Sequence, residues 1–318
     1  MTAFDPFEDF GDIDEIAERL NDADAAVRRL AVIDLTEAAS SDVLPHLLTA
    51  VADPDATVRL QVAIALPEFD AVEAAAGLAR LAADQDLTVA CAAADSLAEL
   101  KDPAAAEPIM PLVTHASAFV RAAGFRGLKA LRSRGALGPA LAAMRDADAN
   151  VRAQALGVVG YLKLEETLPS LIAATRDADA IVRSVAVNAL SFTNQPAAAA
   201  AVTVALDDEN WQVRAAAAES LGRIGQTSAA DGLTASLRDE YWQVRQKCLN
   251  ALGKLKAQSA VWQISALLTS DMASVRKEAA AALGEIADPS SRDALTAQVG
   301  DADPDVRKTV RWALTRLG

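Results

Sequence analysis

Aromatic side chains are scarce in this 318-residue chain: 4% of it, within a hydrophobic fraction of 52%. A core with so few rings is filled by Ala, Leu and Val, which suits closely packed helices better than sheets. Cysteine is scarcer still. Cys91 and Cys248 are the only two, and each sits among small residues of a helical stretch. That excludes a disulfide framework and a CxxC metal site, and it fits a reducing compartment. No uncharged apolar run approaches the roughly 18 residues of a membrane span. Basic charge is in deficit, with 30 Lys and Arg against 44 Asp and Glu, for a net charge of -14. A general duplex-DNA or anionic-membrane binder presents a basic surface, so neither nucleic acid nor membrane is an expected partner. Residues 1–12 alternate Phe with Asp and Glu. They lack the basic and apolar regions of a secretory signal, and a cytoplasmic location is expected.

What the chain does have is a repeat. Val-Arg recurs at Arg28, Arg59, Arg121, Arg152, Arg183, Arg214, Arg245, Arg276 and Arg307, 31 residues or twice 31 apart, with Ala90 at the skipped position. Ten units therefore share one register. Each reads as an apolar helical stretch, an Asp-rich turn such as Asp53-Pro54-Asp55 or Asp301-Ala302-Asp303, and a second helix opening near Val-Arg. The turn aspartates suit helix N-caps and the positive end of the helix dipole. A small residue three positions after the Arg (Ala155, Ala186, Ala217) and Leu seven after (Leu190, Leu221, Leu252) lie on one helical face. Glycines near the end of the second helix (Gly222, Gly253, Gly284) suggest close packing. One such unit cannot bury a core alone, but stacked neighbours can.

The pattern Asp-x-Asp-x-x-Val-Arg-x-x-Ala-x-x-x-Leu-Gly-x-Ile, clearest from Val213-Arg214 to Ile224-Gly225, resembles the HEAT repeat, specifically the short type named after phycobilisome lyases. The resemblance implies an all-α fold, an α-solenoid of ten HEAT-like helix pairs wound as a right-handed superhelix over residues 13–318, preceded by the acidic-aromatic segment 1–12. It implies that the arginines pair with turn aspartates along the stack and that the second helices line a concave surface. The family includes bilin lyase subunits, degradation factors and scaffolds.

The arginine column breaks in the third and fourth units. Ala90 replaces Arg, His115 stands where a turn Asp is usual, and Gly124 replaces the small Ala. These changes predict that this stretch is the weakest of the stack, with two ladder members removed. Cys91 and His115 lack any visible orienting group or oxyanion site, so a catalytic pair is not expected there. His46 is expected at the surface, Trp262 packed in a first helix, and segment 1–12 folded back as a cap.

Columns that vary between units carry the functional reading. Nine after the Arg stand Glu37, Glu68, Glu99, Ala130, Tyr161, Phe192, Arg223, Lys254, Glu285 and Arg316. Five after stand, among others, Asp95, Arg126, Asn188, Glu219, Asn250 and Trp312, and three before stand Trp211 and Trp242. The face reads acidic, then aromatic, then mixed-basic. Clustered aromatics mark interaction sites. The expected partner-binding residues are Tyr161, Phe192, Trp211 and Trp242, flanked by Arg126, Asn188, Glu219, Arg223 and Asn250.

No P-loop, GxSxG, HExxH or dinucleotide fingerprint appears. The expectation is a non-catalytic scaffold or adaptor that binds a protein along its concave face, with no metal and no cofactor of its own. The alternative is an accessory factor of the bilin-lyase type, handling a tetrapyrrole or assisting cofactor insertion. Val310, Leu314 and Leu317 are expected at an open apolar end, which would permit a homodimer through the C-terminal end.

Overall fold

The computed structural model describes residues 13–38 and 40–317. The expected cap formed by residues 1–12 lies outside them, as does Gly318. Twenty α-helices and no strand are found among the described residues. The chain divides into two compact units, Met1–Leu162 and Lys163–Gly318, and each is an α-solenoid of five helix pairs.

The pair containing Trp211–Ile224 shows why the sequence folds this way. Pro196 opens the first helix, Pro196–Val204, at a position where a missing N–H costs nothing. A 3-10 turn, Ala205–Asp207, tightens its end. The Asn210 side chain then accepts the Gln212 N–H and starts the second helix. Val213, Ala217, Leu221 and Ile224 fall on one stripe of that helix and are buried. Asp24, Asp55, Asp86, Asp179 and Asp303 cap second helices in the same way.

The link to the next pair uses a left-handed residue. Asp70, Arg132, Lys163, Gly225, Lys256 and Ala287 all have positive φ, and all belong to one column of the repeat. At Asp70 the side chain also accepts the Lys101 and Asp102 backbone N–H groups, at 2.8 and 3.0 Å. Successive links are thus tied together.

Second helices approach each other closely. A Cβ on Gly222 would lie 3.1 Å from Ala251 Cα, one on Gly253 3.0 Å from Ala282 Cα, and one on Gly284 3.0 Å from Ala313 Cα. The close-packing role expected of these glycines is what forms. Gly124 has the same kind of reason: its Cβ would stand 2.9 Å from Leu112 Cβ. The expectation that Gly124 weakens its unit therefore needs correction, because a methyl group has no room there.

Two further expectations are corrected. Trp262 does not pack in its helix. Val261 and Ile264 take the buried stripe of Val261–Ala266, and Trp262 points away with 83% of its surface exposed. The C-terminal helix Pro304–Arg316 offers less open apolar surface than expected. Val310 and Leu317 are buried and Leu314 is half-buried, whereas Trp312, which lies over Gly284, remains 39% exposed.

Candidate partner-binding site

Polar order in each unit is set by the arginine column. Arg28 donates through Nη1 to the Asp22 and Ala23 carbonyls at the end of the preceding 3-10 turn. Its Nε and Nη2 form a fork on the Asp53 carboxylate, 25 residues on, at 2.7 and 2.8 Å. Asp53 Oδ1 also accepts the Asp55 N–H at 2.8 Å. One arginine therefore ties two turns together. The same rung forms at Arg59–Asp84, Arg121–Asp146, Arg183–Asp208, Arg214–Asp239 and Arg276–Asp301.

Bidentate geometry with mostly buried partners makes these strong ion pairs. The guanidinium bond comes first among the causes that hold Asp84, Asp146 and Asp301 below the usual carboxylate range. At Asp53, Asp208 and Asp239 burial pushes up, but the arginine and the N–H two residues on outweigh it and the net is again downward.

The break at Ala90 and His115 removes one rung rather than two ladder members. The residues stand 25 apart, so they are the two halves of a single rung. His115 keeps the turn, since its Nδ1 accepts the Ser117 N–H at 3.1 Å.

The expected binding residues fall into separate places. In the first unit, Arg126 is exposed and pairs with Asp95 at 2.6 Å across neighbouring second helices. Tyr161 is 43% exposed, with the Arg132 guanidinium 5.4 Å from its ring centre. Glu37 and Glu68 line an open cavity of about 400 Å³ with Thr36, Ser40, Ser41 and Phe69.

In the second unit, Asn188 and Arg223 are exposed and Phe192 is half-buried. Glu219 pairs with Arg223 and, at 2.7 Å, with Lys247, whose bond chiefly lowers its pKa. The Asn250 amide donates to Glu278 at 2.8 Å. These side chains form a lattice over the second helices.

Trp211 and Trp242 do not join it. Each is the first residue of its helix, whereas Arg223 stands twelve residues further on, about 18 Å along the axis. Phe192 sits at that same far level, just beyond Ala180–Ala189. The two tryptophans lie instead at the edge where the rungs run. There Trp211 stacks on Tyr241, with ring centres 5.4 Å apart and planes at 13°, and Arg214 lies 5.6 Å from the Tyr241 ring centre. The sequence reading missed Tyr241. The available signal was a tyrosine at a cap position that holds Asp, Asn or Ser in every other unit but the next, where Met272 stands.

No helix among the described residues is long and apolar enough to cross a membrane. A family model described as HEAT repeats matches residues 13–90, 137–208, 201–272 and 262–318. Another, described as PBS lyase HEAT-like repeat, matches residues 89–115, the stretch that runs from Ala90 to His115. No curated protein matches the sequence. Among solved structures, an engineered protein is 18% identical with a TM-score of 0.53, over 96% of this chain and 98% of its own. YibA of Escherichia coli is 19% identical with a TM-score of 0.61, over 76% of this chain and 90% of its own. Importin beta is 16% identical with a TM-score of 0.64, and 96% of this chain spans 51% of it. Kap95p, in a structure titled for its binding to RanGDP, is 16% identical with a TM-score of 0.59, over 96% of this chain and 48% of that one.

Proposed function

Because this chain belongs to the HEAT-repeat family, we propose that it is a non-catalytic scaffold or adaptor that holds a protein partner against the face of its second helices. One observation carries the reading. Side chains needed for the fold repeat from unit to unit, while Arg126, Tyr161, Asn188, Arg223 and Asn250 change identity and are exposed. A surface free of packing duty is where sequence can encode a partner. The similar Kap95p structure, described as binding RanGDP, supports protein binding as a use of this fold, although fold alone does not fix function.

The face carries Tyr161 in the first unit, and Phe192 and Trp312 in the second. Within the first unit, Glu37, Glu68 and Glu99 give the face an acidic character suited to a basic segment. The test is affinity capture followed by binding measurements with the purified partner. Phe192→Ala and Asn188→Ala are expected to weaken binding at least tenfold together, whereas Trp262→Ser on a first helix leaves it unchanged. The opposite pattern would transfer the site to the first helices and refute the proposal. The match to a PBS lyase HEAT-like repeat supports a second reading, an accessory role with a tetrapyrrole. That reading requires a visible absorbance change when a bilin is added to the chain.

A further inference from the structure

The rung that should follow Arg245 has an arginine but no carboxylate. Residue 270, 25 positions on, is serine. Arg245 Nη1 is engaged as at the other arginines of the column, donating to the Asp239 and Glu240 carbonyls at 2.6 and 3.2 Å. Its Nε and Nη2, which form the fork at Arg28, Arg59, Arg121, Arg183, Arg214 and Arg276, have no partner among the described residues; Arg307, in the last pair, likewise shows only its two carbonyl bonds. Ser270 Oγ makes only the turn contact, accepting the Met272 N–H at 3.4 Å. This differs from Ala90 and His115, where both halves of a rung are absent together. Here a half-buried guanidinium is held in place by two carbonyls with its two-pronged face unpaired.

The surroundings differ from those of the complete rungs as well. Tyr241 and Met272 stand at the N-cap positions of the two helices that flank this rung, and neither side chain caps its helix. Each is 39% exposed. Trp211 supports Tyr241 from the neighbouring unit. The fork is thus bordered by exposed aromatic and thioether surface where other units carry short polar caps.

We propose that Arg245 is a carboxylate-binding site, filled in trans by an acidic side chain of a bound polypeptide whose neighbouring apolar residues rest on Tyr241 and Met272. A guanidinium fork matches a carboxylate bidentately. The rungs elsewhere in this chain show the geometry that such a ligand adopts, 2.6–3.1 Å from Nε and Nη2. The site lies at the rung edge, apart from the second-helix face. It rests on the scaffold reading only in taking its carboxylate from a polypeptide. The fork itself is tested with acetate, so the two ideas can fail separately.

The experiment follows the arginine Nε–Hε signals of the full chain by NMR at constant ionic strength. Titration with acetate is expected to move the Arg245 signal downfield and to saturate. That signal is identified by its loss in Arg245→Gln, with Arg245→Lys as a second variant that keeps the charge. In Ser270→Asp the serine is replaced by the missing partner, so the signal should start at the shifted position and ignore acetate. A second arm uses a capped Leu-Glu-Leu tripeptide, expected to saturate the signal at no more than a tenth of the acetate concentration. A signal unmoved by acetate, or an acetate response that survives in Ser270→Asp, would overturn the site. A tripeptide no better than acetate would overturn the polypeptide source.

Discussion

Breaking a rung from one side should cost as much as breaking it from both. At Arg276–Asp301 the fork distances are 2.7 and 2.9 Å, and the Asp301 side chain is only 4% exposed. Asp301→Ala removes two charge-assisted bonds and leaves a guanidinium still fixed by the Ser270 and Asp271 carbonyls. Leaving one mostly buried charge without its partner costs about 3 kcal/mol. Arg276→Ala strands the carboxylate instead, with the Asp303 N–H as its remaining partner, at about the same cost. If the two losses were independent the double variant would lose about 6 kcal/mol; we expect about 3, a coupling of about 3 kcal/mol. The natural Ala90 and His115 rung is the precedent, since the chain folds there with both halves absent. Equilibrium urea unfolding reads the total. Hydrogen exchange in Ala273–Ile286 reads the local effect, because repeats can open locally. Additive losses would refute the rung as an energetic unit. The Arg183–Asp208 rung offers a graded control: Glu209 stands 3.2 Å from Arg183 Nη2, so Asp208→Ala should cost less than Asp301→Ala.

Acid should act through the same groups. The rung carboxyls titrate below their usual range when folded, so their contribution is fully present above the unfolded value of about 4. It is lost as pH falls below that, and urea midpoints should be level from pH 6 to 8 and fall steadily from about pH 4 downward. Gly124→Ala should destabilise by about 1–3 kcal/mol through overpacking against Leu112, read as a lower melting temperature; an unchanged or higher one would refute the close-approach argument. Burial pushes the Cys248 thiol up to about 12, whereas Cys91 is exposed. A thiol reagent at pH 8 should therefore label Cys91 and spare Cys248 until the chain unfolds, as mass spectrometry of the digest would show.

The helix pairs, their register and the turn caps were legible in the sequence because like positions recur every 31 residues. The rungs were harder to read, since they join unlike positions. Arg276 pairs with a residue 25 further on, a diagonal across the repeat that alignment of units does not display. For that reason Ala90 and His115 looked like two faults, and the arginine at 245 looked complete. Trp211 and Trp242 share a column with each other but stand at the far end of the helix from Phe192 and Arg223. Helical phase alone put all of them on one side and ignored the length of the helix. Trp262 could have been read correctly, because Val261 and Ile264 already define the buried stripe and leave position 262 outside it.

The unequal ties along the stack also have a mechanical consequence. Within each unit the layer of second helices is continuous, and in the second its backbones are drawn together at Gly222, Gly253 and Gly284. The opposite restraint, the ionic edge, is interrupted at Ala90–His115 in the first unit and at Arg245–Ser270 in the second. A strip bonded along one side and unfastened at one point on the other flexes at that point. These two places are therefore the compliant joints of their units, where the turns can part while the helix layer acts as the pivot. A ligand completing the Arg245 fork would act as a fastener, stiffening the second unit without altering any contact in its core.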